Sequence, residues 1–314
     1  METLSLRAPA KINLFLSILR KRSDHYHDIF SWFQAVDLFD YLLLKPKTRP
    51  GFDLYIKGNN NLPRDENNIT IKASRLLFER FGLSGGIEIR LQKNIPVGSG
   101  MAGGSSNAAA TIYAINRLYD LGLSSDEMSR IGLELGSDIP FFFSSGQAEV
   151  RGRGEVITNI PLPVDYYILL VTPPMSISTA DSYRRLNLDL TSAGEGIKLK
   201  RCADFADLVA RIRDIGNDFE DFHLKSYSVL GEIRDILRKA GAVLVRMSGS
   251  GPTMFGLYEE LPEMDNLRAQ IRENWYVYLA HPITLPAWDP EKDNPSFGGR
   301  IGRGNHRSEG HFKG

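Results

Sequence analysis

Cysteine is almost missing from this chain: Cys202 is the only one in 314 residues. That excludes an intramolecular disulfide and a cysteine-based metal cluster, and Cys202 itself reads as a small, partly buried side chain. Long apolar runs are missing too, with no stretch of 18 such residues, so no membrane-spanning helix is expected. The start, Met1-Glu-Thr-Leu-Ser-Leu-Arg-Ala-Pro9, has no positive segment followed by an apolar run of secretory length. A charge excess of either sign is absent as well, because 38 basic and 38 acidic residues cancel. A neutral chain lacks the basic field that favours nucleic acid or an anionic membrane. The expectation is a cytoplasmic protein, monomer or homodimer, with a small-molecule partner, no nucleic acid and no membrane.

What is present is an ordinary globular composition, 42% hydrophobic and 24% charged, on a chain long enough for two domains of about 150 residues each. Residues 3 to 19 read as one or two strands joined near Ala8-Pro9-Ala10. Tyr41 to Leu44, Phe52 to Ile56 and Ile87 to Leu91 read as further strands, and Asn68 to Phe81 has helical spacing. Ala108, Ile112, Ile115 and Tyr119 place a helix starting at or near Ser105. Ser124-Ser-Asp-Glu127 has the form of a capping box, and Gly136 stops the helix that follows. Pro140 biases Ile139 to an extended backbone, so Phe141 to Phe143 is expected as a buried strand. Later, Tyr166 to Val171 reads as a strand, Phe205 to Ile212 and Ser226 to Ala240 as helices, and Ala242 to Leu257 as strand, Gly-rich turn, strand. These alternate in an α+β manner. From about Asp289 the composition turns to Gly, Pro, Asn and charge, and disorder is expected over 289–314.

The chemistry concentrates in Pro96-Val97-Gly98-Ser99-Gly100-Met101-Ala102-Gly103-Gly104-Ser105-Ser106. Glycines let a backbone turn sharply and approach a ligand, and its N–H groups together with the following helix N-terminus can wrap a phosphate without net charge. The segment is no Walker A loop, since the nearest lysine, Lys93, precedes it. Gly98-x-Gly100-x-x-Gly103 is formally a dinucleotide fingerprint, but no clear βαβ unit with a partnering acidic residue follows. On its glycines alone the segment is a structural turn as readily as a phosphate site. Likewise Lys11 alone reads as a solvated strand-edge lysine, Asp138 as a turn former, Tyr26 and Tyr183 as core or surface aromatics, and His27 as a satisfied polar residue. His25 and His27 lack the further ligands that zinc needs.

Three segments in order change that weighting: Ala8-Pro-Ala-Lys-Ile-Asn-Leu14, the loop at 96–106 with Asn107-Ala108, and Arg246-Met-Ser-Gly-Ser-Gly-Pro-Thr-Met-Phe255. Together they resemble the three motifs of the GHMP kinases. Asp24-His-Tyr-His-Asp28, Leu135-Gly-Ser-Asp-Ile-Pro-Phe141 and Gly152-Arg-Gly-Glu155 resemble most the branch whose acceptor is a cytidine-diphosphate derivative of a methylerythritol. The resemblance runs from about residue 6 to 285. It implies a two-lobed α+β fold with the active site in the inter-lobe cleft, an N-terminal lobe over 1–155 and a C-terminal lobe over 156–288.

It also implies ATP as phosphoryl donor, Mg²⁺ as cofactor, and transfer to the 2-hydroxyl of that acceptor in the non-mevalonate route to isoprenoids. Lys11 and Asp138 are the implied catalytic pair, and 96–106 is the ATP loop. The acceptor residues are Asn13 beside the erythritol part, Tyr26 and Tyr183 stacking on cytosine, and His27 at its edge. Ser106, at the helix start, either coordinates Mg²⁺ or touches a phosphate, or on its position alone simply caps the helix. A GHMP kinase with another acceptor and a catalytically silent nucleotide-binding protein are the alternatives. His25 stands where the family usually has Gly, which puts the loop before Tyr26 in question, and Met101 replaces the usual Leu, a volume-conserving change.

Overall fold

The computed structural model describes residues 2–59, 61–186, 202–262, 267 and 269–285. The expected disordered tail, 289–314, lies outside them. Two sheets carry two lobes. The first is built on β1 (Leu4–Lys21), β2 (His27–Lys47), β3 (Gly51–Lys57), β4 (Gly86–Gln92), β5 (Gln147–Gly152) and β6 (Val156–Asn159), in the order β3-β4-β2-β5-β6 with β1 on β2. The second has the order β10-β7-β9-β8, from β7 (Tyr167–Thr172), β8 (Leu244–Met247), β9 (Met254–Tyr258) and β10 (Tyr276–Ala280). Helices α1 (Ile69–Phe81), α2 (Gly103–Leu118) and α3 (Ser125–Leu135) belong to the first half of the chain. Helices α4 (Thr179–Arg185), α5 (Phe205–Ile212), α6 (Glu220–Ser226) and α7 (Ser228–Lys239) belong to the second.

Local chemistry sets the helix ends. Asn68 accepts from the Thr70 N–H at the start of α1, and Gly82 closes it in the left-handed conformation. Ser124 and Glu127 form the expected capping box on α3. The first strand is a single element of 18 residues, not two. Pro9 cannot donate to the ladder, and between Pro9 and Ala10 the register with β2 jumps from Phe39 to Val36, so β2 bulges at Asp37 and Leu38 while β1 runs on unbroken.

One expectation fails. Phe141 to Phe143 is a turn of 3₁₀ helix, Pro140–Phe143, and Ile139 is helical at φ −64°, ψ −42° rather than extended. The fixed φ of proline suits the first position of a helix, and this outweighs the bias on the residue before it. A strand would point Phe141 and Phe142 to opposite faces. The turn instead buries both in one core, with Phe141 edge-on to Phe33 at 5.4 Å. The helix after the glycine-rich loop begins at Gly103, two residues earlier than its apolar spacing indicates.

The lobes are stitched together along β1 and β2. Leu16 bridges to Asn217, and the Leu16 N–H donates to the Gly216 carbonyl at 3.0 Å. The Ile18 N–H donates to the Asp218 carboxylate at 2.6 Å. On the other side, Ile283 N–H donates to Ala35 O at 2.9 Å. These contacts fix the cleft walls relative to one another.

Candidate active site

Lys11 and Asn13 are two residues apart on β1 and share a face. Lys11 Nζ donates to Asn13 Oδ1 at 2.6 Å, and Asn13 Nδ2 donates to Ser31 Oγ on β2 at 3.0 Å. Ser31 in turn donates to the Phe15 carbonyl. The lysine is not the solvated strand-edge residue of a bare sequence reading: it is 3% exposed, and its ammonium lies over the Phe33 ring at 4.1 Å. Asp138 Oδ2 sits 3.7 Å away, an ion pair beyond direct hydrogen-bond length. Burial pulls the Lys11 pKa below its ordinary 10.5, and the Asp138 charge opposes that pull. Asp138 lies in the turn after α3. The turn is pressed by Gly154 (φ +128°), where a Cβ would come within 2.7 Å of the Ser137 carbonyl. Glycine at 154 therefore lets the β5–β6 hairpin close against the residue preceding Asp138.

The loop at 96–106 runs beside Lys11, whose N–H donates to the Met101 carbonyl at 3.1 Å. Pro96 to Gly100 and Ala102 to Ser105 line the cleft. Met101 and Ser106 do not: both are fully buried behind it. Ser106 is not the helix cap, a position held by Ala102 in the left-handed conformation, and the Ser106 Oγ has no hydrogen-bond partner among the described residues. The segment 246–255 clamps the loop from the other lobe. Ser248 Oγ donates to the Gly100 carbonyl at 2.9 Å, and the Thr253 N–H donates to the Ser99 carbonyl at 3.2 Å. Gly100 (φ +78°) has no room for a side chain, since a Cβ would lie 2.1 Å from the Ser248 carbonyl oxygen.

Sequence reasoning missed what holds the loop from below. Asp40, fully buried, accepts from Lys93 Nζ at 2.6 Å, from the N–H groups of Asn94 at 2.7 Å and Ile95 at 2.9 Å, and from Asn107 Nδ2 at 2.9 Å. Lys93 also donates to the Ile95 carbonyl at 2.6 Å. Its pKa is lowered by burial against the pull of Asp40. From the sequence Lys93 reads only as a lysine on the wrong side of the loop for a Walker A site. Its place two residues before Ile95-Pro96 was the available signal, whereas nothing near Asp40 in the sequence marks it.

At the other end of the cleft, His27 stacks on Tyr183, ring centroids 4.7 Å apart and planes 12° from parallel. Burial, and then the charge of Lys21, lowers the His27 pKa, so the ring is neutral near pH 7. Burial, and then the charge of Asp138, raises that of the Tyr183 hydroxyl. Tyr26 is half exposed at the rim with the Arg153 guanidinium 4.9 Å from its ring centroid. His25 adopts φ +67°, the left-handed region. That conformation explains the glycine usual in the family here, and the loop forms with histidine in the glycine conformation.

All these groups open onto one cleft of about 1300 Å³. Lys11, Asn13, Asp138, Tyr26, His27 and Tyr183 line it together with the glycine-rich loop. Leu62, Pro63, Asn67, Asn68, Ile69, Leu91 and Lys93 extend the wall past the loop, and Thr179, Gly249 and Ser250 contribute from the C-terminal half. No motif in the sequence had pointed to residues 62–69. Among the described residues no group of three or more His, Cys, Asp or Glu could hold a metal ion, and no helix is long and apolar enough to cross a membrane.

Two family models match this chain: GHMP kinases N terminal domain over residues 68–146 and GHMP kinases C terminal over 195–277. A 4-diphosphocytidyl-2-C-methyl-D-erythritol kinase from Geobacillus kaustophilus (strain HTA426) is 40% identical over 269 residues, covering 86% of this chain and 93% of that protein. The chain belongs to the GHMP kinase family. Another relative of the same name, from Clostridioides difficile (strain 630), is 39% identical over 262 residues, 82% of this chain and 88% of its own. The crystal structure of a 4-(cytidine 5'-diphospho)-2C-methyl-D-erythritol kinase superposes with a TM-score of 0.69 at 30% identity, covering 88% of this chain and 99% of that one. A homoserine kinase from Cytophaga hutchinsonii superposes at 0.67 with 19% identity, over 92% and 97% of the two chains, and shares the fold. The two-lobed GHMP kinase architecture, with its inter-lobe cleft, is thus that of an ATP-dependent small-molecule kinase.

Proposed function

We propose that this GHMP kinase transfers the γ-phosphoryl group of ATP to the 2-hydroxyl of 4-diphosphocytidyl-2-C-methyl-D-erythritol in the cytoplasm, a step of non-mevalonate isoprenoid precursor synthesis. What carries the reading is the continuity of one cleft. The Lys11–Asp138 pair touches the phosphate loop through the Lys11 N–H to Met101, and Asp138 is close enough to Tyr183 for its charge to act on the phenol. A donor site, a charged pair and an aromatic wall with a neutral histidine therefore follow one another. An acceptor bearing a pyrimidine at one end and a hydroxyl at the other matches that sequence of groups.

The roles follow from the chemistry. Loop N–H groups and the start of α2 bind the ATP phosphates. Asp138 accepts the proton of the acceptor hydroxyl while that oxygen attacks the γ-phosphorus, and the bond to the ADP oxygen breaks. Lys11 keeps the carboxylate ionised before the transfer and lies against negative charge on the phosphoryl group during it. Asn13, with its carbonyl taken by Lys11 and one amide hydrogen by Ser31, retains a second hydrogen for the acceptor's diol. Tyr26 offers a ring face to cytosine at the rim, and the stacked pair of neutral His27 and Tyr183 forms the aromatic wall beside it.

Mg²⁺ would be held by the nucleotide phosphates and water, and would neutralise charge on the transferring group. The Ser106 hydroxyl is unpartnered among the described residues, but it is fully buried outside the cleft lining and does not fit as a ligand of that cation. The division of the lobes lies between β6 and β7, at about residues 160–166 and not at 155–156 as the sequence suggests, a reading supported by the pairing of β6 with β5 in the first sheet.

Purified protein with Mg-ATP, offered this acceptor alongside mevalonate and homoserine, should phosphorylate the cytidine-bearing compound alone. Turnover of mevalonate or homoserine without it would overturn the assignment. Absence of turnover with any acceptor, with nucleotide still bound, would favour a silent nucleotide-binding protein.

A further inference from the structure

Tyr183 sits on α4, a helix of seven residues. So short a helix has little stability of its own, and its position must come from tertiary contacts. Thr179 and Ser250 share a hydroxyl hydrogen bond of 2.8 Å at its start. The Tyr183 ring meets Phe219 edge-on at 5.0 Å. The third contact is Ser182 Oγ, 3.0 Å from Nε2 of His223 on α6, with both residues buried.

Counting hydrogens gives the direction of that last bond. Ser182 Oγ has one hydrogen and donates it to the Ser178 carbonyl at 2.9 Å. With that hydrogen on the carbonyl, which can only accept, the oxygen takes a hydrogen bond from His223 in the tautomer that carries hydrogen on Nε2. The neutral ring then has a bare Nδ1, and that atom is buried with no hydrogen-bond partner among the described residues. The ring is packed among Phe219, Phe222 and Tyr227 at centroid distances of 6.1, 5.1 and 5.7 Å. A second proton would put a charge into this aromatic nest with Arg185 nearby, and burial and Arg185 both act against it. His223 does not line the cleft, and phosphoryl transfer makes no use of it.

We infer that His223, by donating from Nε2 to Ser182, positions α4 and thereby sets the Tyr183 wall of the acceptor pocket. It is a positioning residue for acceptor binding, and the inference rests on Tyr183 being that wall. The effect should appear in acceptor affinity and leave the donor end unchanged, because Tyr183 and His223 lie away from the loop, which α4 meets at its start through the Thr179–Ser250 bond.

The test is steady-state kinetics on the full chain with His223→Ala, His223→Gln and Ser182→Ala, with thermal midpoints recorded. Leu230→Ala, a fully buried site on α7, serves as a stability control. His223→Ala and Ser182→Ala should each raise the acceptor KM by about tenfold, the order expected from leaving a buried partner unsatisfied. The ATP KM and kcat should stay within about twofold. His223→Gln, whose amide can donate from a similar reach, should restore most of the loss. Leu230→Ala should lower the midpoint and leave the acceptor KM in place. An unchanged acceptor KM in His223→Ala, a parallel rise in the ATP KM, failure of Gln to restore, or an equal KM rise in Leu230→Ala would each overturn the inference. If His223→Ala does not fold, Ser182→Ala decides. Wild-type protein inert toward the cytidine acceptor would count against the proposed function instead, and the same variants would then be read with the acceptor that the panel identifies.

Discussion

At the donor end of the cleft the loop is held mainly by its own backbone: the carbonyls of Ser99, Gly100 and Met101 each accept from another segment, and Asp40 receives the N–H groups of Asn94 and Ile95 just before it. At the other end Tyr183 is held by side chains, through its stack with His27, the Phe219 contact and the Ser182–His223 bond, whereas Tyr26 and His27 sit on the backbone of the β1–β2 turn. Backbone anchorage constrains conformation and excludes Cβ atoms, as at Gly100, while saying little about which ligand is chosen. Side-chain anchorage leaves the wall open to substitution.

That contrast can be broken at several points. Asp138→Asn, which stands between the two ends, should lower kcat by about 10²–10⁴-fold while nucleotide affinity, measured by titration, changes little. Retained turnover would remove Asp138 from proton transfer. Asp40→Ala leaves the Lys93 ammonium buried without its counter-ion and should destabilise the protein by about 3–5 kcal/mol in denaturant unfolding. A loss under 1 kcal/mol would mean that the loop is not built on this carboxylate.

The pH profile tests the pair directly. Lys11 has a folded pKa below 10.5, so kcat/KM should begin to fall at a pH under that value and drop about tenfold per unit beyond it. A limb at or above 10.5 would show that Asp138 fully offsets the burial. The same depression means that protonated Lys11 is disfavoured on folding, so this group's contribution to stability increases as pH rises from its folded pKa towards 10.5.

Tyr183→Ala should weaken acceptor binding by about 1–3 kcal/mol, read as KM, with the ATP KM unmoved. An equal change in both would erase the distinction between the two ends. Smallest of all, His25→Gly should relieve a left-handed histidine and raise stability by up to about 1 kcal/mol, less the added chain entropy of glycine. A loss of stability would mean that the His25 side chain contributes something its backbone strain hides.

Much of this site was readable before any coordinates. Lys11, Asp138 and the loop stood out because their motifs are contiguous in the chain, and the structure brings them into one cleft. Asp40 was invisible because its four partners come from residues 93–95 and 107, and only the fold assembles them. Of the 21 residues of β2, only Tyr41 to Leu44 read as strand, because residues 28–36 are buried on both faces and the alternation that betrays a strand is lost. Phe141 to Phe143 misled for a related reason: a short apolar run does not distinguish a strand from a tight helical turn.

The bridge from Leu16 to Asn217 joins residues separated by most of the protein's synthesis. At the usual pace of about 5–20 residues per second, roughly 10–40 s pass between their emergence from the ribosome. During that interval β1 already carries Lys11 and can pair with β2, yet the clamp on the loop waits for Ser248 and Thr253. The clamped form of the glycine-rich loop is therefore a late product of translation, and a nascent chain halted before residue 248 would display the whole loop without the grip that shapes it.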